Sequence, residues 1–157
     1  MTEPWFIGEA PSRSTSRPGG APLVGESGLR LATWAGLSPA EFRARAHLVN
    51  LFDRLPSRWR QTDAREQAVH LGNCLRRHDL APVVVLLGRR VADAFEHRQG
   101  PWVPDEVRGV TYVHMPHPSG LNHYWNDPAH VAQAQRFLRA LFGIKPGPEQ
   151  PTMEWRT

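Results

Sequence analysis

Cysteine and lysine are nearly missing from these 157 residues, with Cys74 and Lys145 the only examples of each. A single cysteine excludes an internal disulfide and any multi-cysteine zinc or iron–sulfur site within the chain, which fits a cytoplasmic setting. The one lysine lies near the end of the sequence, so no amine in its body is a candidate for Schiff-base or β-elimination chemistry. No apolar run reaches the roughly eighteen residues of a membrane span, and no basic segment leads into an apolar one at the start. Neither membrane insertion nor secretion is expected. The eight histidines are scattered, with no i, i+4 pair joined to a carboxylate, and no metal site or other cofactor is expected. Gly-Lys-Ser/Thr and Gly-x-Ser-x-Gly are absent as well, which removes the phosphate loop of nucleotide triphosphatases and the elbow of serine hydrolases.

What is present is an ordinary globular balance, 40% hydrophobic and 22% charged, in a chain of single-domain length. Residues 1–143 are expected to form one domain and 144–157, "IKPGPEQPTMEWRT", a poorly ordered tail. No internal repeat is visible, and a monomer is expected. Net charge is +4, carried almost wholly by arginine. Its planar fork suits phosphate oxygens, so an anionic partner such as nucleic acid is admitted.

Four short apolar runs, Trp5 to Ile7, Leu48 to Phe52, Val83 to Leu87 and Val110 to Met115, are rich in β-branched or aromatic residues and end in turn chemistry. They read as buried strands. "VVVLL" is the continuous kind found in parallel sheets covered on both faces. Between the runs lie helical patterns. Leu29 to Ala35 follows Ser27 and Gly28, and Pro39 to Arg45 follows Ser38 with Glu41 at capping-box spacing. A third helix starts at Thr62 or Asp63, with Ala64, Ala68, Leu71 and Leu75 in a stripe. "RRVADAFEH" follows Gly88, and Pro128 to Phe142 follows Asp127 with Val131, Ala134, Leu138, Leu141 and Phe142 on one face. This alternation predicts a three-layer α/β/α sandwich around a mostly parallel four-stranded sheet. Ligands in such sheets bind beyond the carboxyl ends of the strands.

Those ends carry "IGEAPS", "LVNLFDRLP", "LLGRRVADAF" and "MPHPSGLNHYW". At the first, the Glu9 carboxylate can orient or deprotonate water and favour a developing positive charge; pairing with a nearby Arg is the structural alternative. In the last, His117 can donate to a carbonyl oxygen on which negative charge accumulates. His114, on the same side of an extended strand, is its rival. Asn50 offers a donor and an acceptor on one amide, against a plain structural hydrogen bond.

The four motifs, in this order from Trp5 to Phe142, resemble the uracil-DNA glycosylase superfamily, most closely its branch with a Gly-Glu-Ala-Pro-Gly first motif and a His-Pro-Ser final one. The resemblance implies a monofunctional DNA glycosylase that flips uracil or a modified pyrimidine out of DNA and hydrolyses its N-glycosidic bond. It implies Glu9 for water and sugar, His117 for the leaving base, and Asn50 for base identity with Ala10, Pro11 and Leu23 around it. Leu121, four residues after His117, stands where related enzymes carry a wedge that fills the vacated stack. Ser119 and Gly120 beside it suit phosphate contact, as do Arg89 or Arg90 at the helix entry and Ser12, Arg13 and Arg17 in the first loop.

The sequence departs from that pattern at three places. Ser12 replaces a glycine, and Thr15 and Ser16 replace an acidic pair, which makes the loop basic and hydroxyl-rich. "PLVG", Pro22 to Gly25, replaces Pro-Phe-Val-Gly, so Leu23 stands where an aromatic stacks on uracil; Phe52 and Trp102 are possible substitutes. The iron–sulfur cysteines of many relatives are missing. A larger, hypermodified base, a non-catalytic DNA-binding module and a free-nucleotide binder are therefore alternatives.

Overall fold

The computed structural model describes residues 2–11, 22–23, 25–77 and 82–146. Five strands form one sheet in the order β2-β1-β3-β5-β4, where β1 is Trp5–Gly8, β2 His47–Asn50, β3 Val83–Leu87, β4 Pro104–Val107 and β5 Val110–Met115. The pairs β1 with β2, β1 with β3 and β3 with β5 are parallel, and β4 runs antiparallel to β5. The expectation of four mostly parallel strands thus misses one. Its residues, "PDEV", are polar and begin with proline, a composition tolerated on an edge and poor as a strand signal. The overlooked cue is the two-residue turn after it: Arg108 and Gly109 both have positive φ, 51° and 81°, as a primed hairpin turn requires.

Helices cover both faces. α1 (Glu26–Ala35), α2 (Pro39–Ala44) and α5 (Pro128–Leu141) enclose one core with Phe6, Val85, Leu87 and Met115 from the sheet. α3 (Gln61–Leu75) and α4 (Arg89–Ala94) cover the other face, where Leu75, Val91 and Ala92 meet Ile7, Val84, Leu86 and Tyr112. Alternate residues of β3 face opposite layers and all but Val83 are buried, which is why that strand reads as an unbroken apolar run.

Local signals set the helix ends. Ser38 Oγ accepts from the Glu41 N–H at 3.2 Å while Glu41 accepts from the Ser38 N–H at 2.8 Å, completing the capping box. Asp127 Oδ1 caps α5 through the Ala129 N–H at 2.9 Å, with Pro128 at its first position. α3 begins one residue before the earlier predicted start and has no side-chain cap. Its buried stripe is Ala64, Ala68, Gly72 and Leu75, with Leu71 only partly covered. The strand expected over Leu48 to Phe52 is placed from His47 to Asn50. Leu51 and Phe52 nevertheless continue the pairing beyond it, donating to the Gly8 and Glu9 carbonyls at 2.8 and 2.9 Å.

Most of the expected tail, 147–157, lies outside the described residues. Among the described residues no helix is long and apolar enough to cross a membrane.

Candidate active site at the carboxyl edge of the sheet

Glu9 follows β1 directly, and its backbone oxygen is fixed by the Phe52 N–H, so the two loops leave the sheet together. Its carboxylate is one-third exposed and 3.9 Å from Arg90 Nη1. The Arg90 guanidinium in turn lies 5.3 Å from the centre of the Trp59 ring, which meets Phe52 edge-on. Of the two arginines at the α4 entry, Arg90 therefore faces Glu9. Arg89 turns away and pairs with Asp93 at 3.3 Å.

Asn50 comes beside this corner by register, since Gly8 and Asn50 are paired in the parallel ladder. A Cβ on Gly8 would stand 3.0 Å from Asn50 Oδ1 and 3.9 Å from Leu23 Cδ2. The missing side chain is what lets the amide lie across the end of β1. Leu23, at φ 55°, is anchored by Arg43 Nη2, which donates to its carbonyl at 2.9 Å. Ala10 is half-buried and Pro11 buried immediately after Glu9.

His117 lies beyond β5 between two buried prolines, Pro116 and Pro118. Its carbonyl accepts from Asn122 Nδ2 at 2.9 Å and from Trp125 Nε1 at 2.7 Å. Its ring Nδ1 accepts from the Ser119 N–H at 3.2 Å. An accepting Nδ1 in a neutral imidazole places the proton on Nε2, leaving that edge as a donor. Gly88, with φ 92°, backs the ring: a Cβ there would be 3.3 Å from His117 Cβ. Burial lowers the His117 pKa, and the nearby Glu9 carboxylate opposes the shift. That opposition puts the two side chains within electrostatic reach of one another.

The loop after His117 is built for close approach. Ser119 Oγ accepts from the Leu121 N–H at 3.2 Å, and the Ser119 carbonyl accepts from Asn122 N–H at 3.1 Å. Gly120 packs on Glu26, where a Cβ would fall 2.7 Å from Oε1. Leu121 is 89% exposed, the most solvent-facing of the large apolar side chains described. Ser12, Arg13 and Arg17, with Thr15 and Ser16, lie outside the described residues.

Two sequence alternatives separate clearly. His114 is buried within β5, where it pairs in register with Leu86 and lines a cavity with Arg89 instead of joining Glu9. Trp102 packs beside Tyr124, Trp125 and Phe137, and its Nε1 donates to the Tyr124 hydroxyl at 3.1 Å, so it belongs to the α5 core. Phe52 remains the aromatic next to Glu9. Sequence reasoning did not single out Asn122 and Trp125 as supports of His117, nor Trp59 under Arg90. Their spacings carry no recognisable signal, because both contacts depend on how loops fold back.

Burial also lowers the pKa values of His97 and His114, the latter further depressed by its neighbours His97 and Arg89. With His117, three imidazoles are thus more reluctant to ionise folded than unfolded. The unfolded chain binds more protons below about pH 6.5, so stability is full above that value and is lost as pH falls toward the lower folded values. The urea midpoint is expected to drop between about pH 7 and about pH 5, before most carboxylates titrate, and to drop less in His114→Phe. Equal pH slopes in the two proteins would contradict this.

No group of three or more His, Cys, Asp or Glu able to hold a metal occurs among the described residues. Comparison with known families matches residues 2–139 to the uracil DNA glycosylase superfamily. Comparison with curated proteins gives no match.

Proposed function

We propose that this chain, which belongs to the uracil-DNA glycosylase superfamily, is a monofunctional DNA glycosylase that hydrolyses the N-glycosidic bond of uracil or a modified pyrimidine flipped from DNA. The observation that carries the reading is that Glu9, directly after β1, and His117, beyond β5, both stand at the carboxyl edge of the parallel strands, with the Glu9 charge felt at the His117 ring. N-glycosidic cleavage leaves an oxocarbenium-like sugar and a base bearing negative charge. Glu9 stabilises the first and draws a proton from the attacking water. The His117 Nε2–H donates to the departing base oxygen, and its lowered pKa keeps the ring neutral, so no proton transfer to the base is required. Asn50, against Gly8, presents donor and acceptor to the base edge, with Ala10, Pro11 and Leu23 around it.

Phosphate contacts come from Ser119 and Gly120, with Ser12, Arg13, Arg17 and Arg89 as further DNA-binding residues. The enzyme acts as a monomer, without cofactor, in the cytoplasm. Leu121 enters the stack left by the flipped nucleotide. Leu121→Ala then loses the burial of one leucine on DNA, about 1.5–3 kcal/mol or roughly tenfold to a hundredfold in kcat/KM. Because the side chain is exposed in the free protein, the melting temperature should not move. An unchanged kcat/KM on duplex substrate contradicts the wedge.

A narrower reading is favoured by Leu23, whose branched aliphatic tip, not a flat ring, borders Gly8. It leaves a floor compatible with a bulkier, hypermodified pyrimidine. Incubation with duplexes carrying uracil or a panel of modified pyrimidines, followed by alkali, tests the proposal: strand breaks at the modified position are expected. Salt-dependent DNA binding with no break across the panel would instead identify a non-catalytic DNA-binding module.

A further inference from the structure

Beside the Glu9–His117 corner lies a cavity of about 500 Å³ from whose lining the glycosylase reading takes only Arg89. It opens between the start of α3, the length of α4, the loop at 97–100 and β5. Its floor is polar and unsatisfied. His97 and His114 are 7% and 6% exposed, and the Nε2 of each is buried without a partner. Gln61 adds a third such atom: its Oε1 accepts from Trp59 Nε1 at 3.1 Å, leaving the buried Nε2 amide donor unmatched. Buried polar atoms are rarely left orphaned, because each forfeits its solvation. Three around one cavity call for a common occupant.

The rim states the sign of that occupant. Arg65, Arg89 and Arg98 stand exposed around the opening, against two carboxylates, Asp93 and Glu96, the first already paired with Arg89. The guanidinium excess disfavours a cation, and the charged wall disfavours an apolar ligand. A tetrahedral oxyanion fits both layers. Guanidinium forks and the Gln61 amide donate to its oxygens, while a ring nitrogen below either accepts from a P–OH or ionises and donates. We propose that this cavity is a phosphate-binding site, with Arg65, Arg89 and Arg98 as its rim and Gln61, His97 and His114 as its floor.

The phosphate has two possible sources, a diester of the DNA strand running past the neighbouring corner or a free phosphate monoester. Inorganic phosphate is titrated into the full chain at constant ionic strength while the imidazole nitrogen resonances are followed by NMR. Saturable shifts confined to His97 and His114 are expected, with His47, on the far edge strand β2, unmoved. The exposed pair Arg65→Ala and Arg98→Ala together should weaken that binding at least about tenfold without lowering the melting temperature. Shifts that grow linearly and alike in all the histidines, or an affinity unchanged in the double variant, would overturn the site. Displacement of bound phosphate by a short oligonucleotide assigns the site to DNA, and phosphate shifts that persist beside bound oligonucleotide assign it to a free monoester. Base release is not part of the readout, so the outcome is independent of whether the glycosylase reading holds.

Discussion

Glu9→Gln is expected to lower the single-turnover rate of base release by about 10²- to 10⁴-fold, the usual worth of a positioned general base. The substitution keeps the size and polarity of the side chain but removes both the proton acceptor and the negative charge facing the sugar. Its structural cost should be small. The ion pair with Arg90 spans 3.9 Å between partly exposed groups, and such pairs contribute about 0–1 kcal/mol. The Phe52 N–H is held by the Glu9 backbone, which the change leaves alone. A collapse in rate with an unchanged melting temperature therefore separates chemistry from folding. An unchanged rate would remove Glu9 from the reaction.

His117→Ala is expected to cost about 10²- to 10³-fold in the same rate, as loss of one preorganised donor to a developing oxyanion commonly does. The effect should fall on the chemical step more than on DNA affinity, because the negative charge on the base appears only as the bond breaks. His117→Gln, which restores an N–H donor near the same place, should recover part of the loss. The donor is the neutral ring, held so by burial. The wild-type rate should therefore not decline as pH rises through about 6.5, where an imidazolium donor would be lost. A decline there, or full activity in His117→Ala, would refute the assigned role.

The parts of this molecule that were legible in the sequence are those fixed by short-range chemistry. The continuous apolar run Val83–Leu87 declares a strand covered on both faces, and the Ser38–Glu41 and Asp127–Pro128 pairs declare helix starts. The polar edge strand Pro104–Val107 was not legible, because its pairing with β5 comes from a turn and not from its own composition. The carboxyl-edge rule led to the strand ends that carry Glu9, Asn50 and His117, but the direction of each side chain depends on the three-dimensional fold. His114 and His117 share a sequence neighbourhood, yet Pro116 carries the chain off the strand between them, and it is His114 that lines the cavity beside α4. Arg89 and Arg90 are adjacent yet take different partners, as positions about 100° apart around a helix can. The supports of His117 from Asn122 and Trp125 come from a local loop that folds back on itself, and the orphaned floor of Gln61, His97 and His114 arises only from long-range folding.

The central claim, that Glu9 and His117 cooperate in releasing a base from DNA, is tested most directly by mass spectrometry of the small molecules freed in a single turnover. Duplexes carrying uracil or a modified pyrimidine are to be incubated with the wild-type chain and with the Glu9→Gln and His117→Ala variants. The account predicts an intact free pyrimidine and an abasic strand in equal amounts from the wild type, with both reduced at least about a hundredfold in each variant. No free base from any duplex, or equal release by all three proteins, would contradict it.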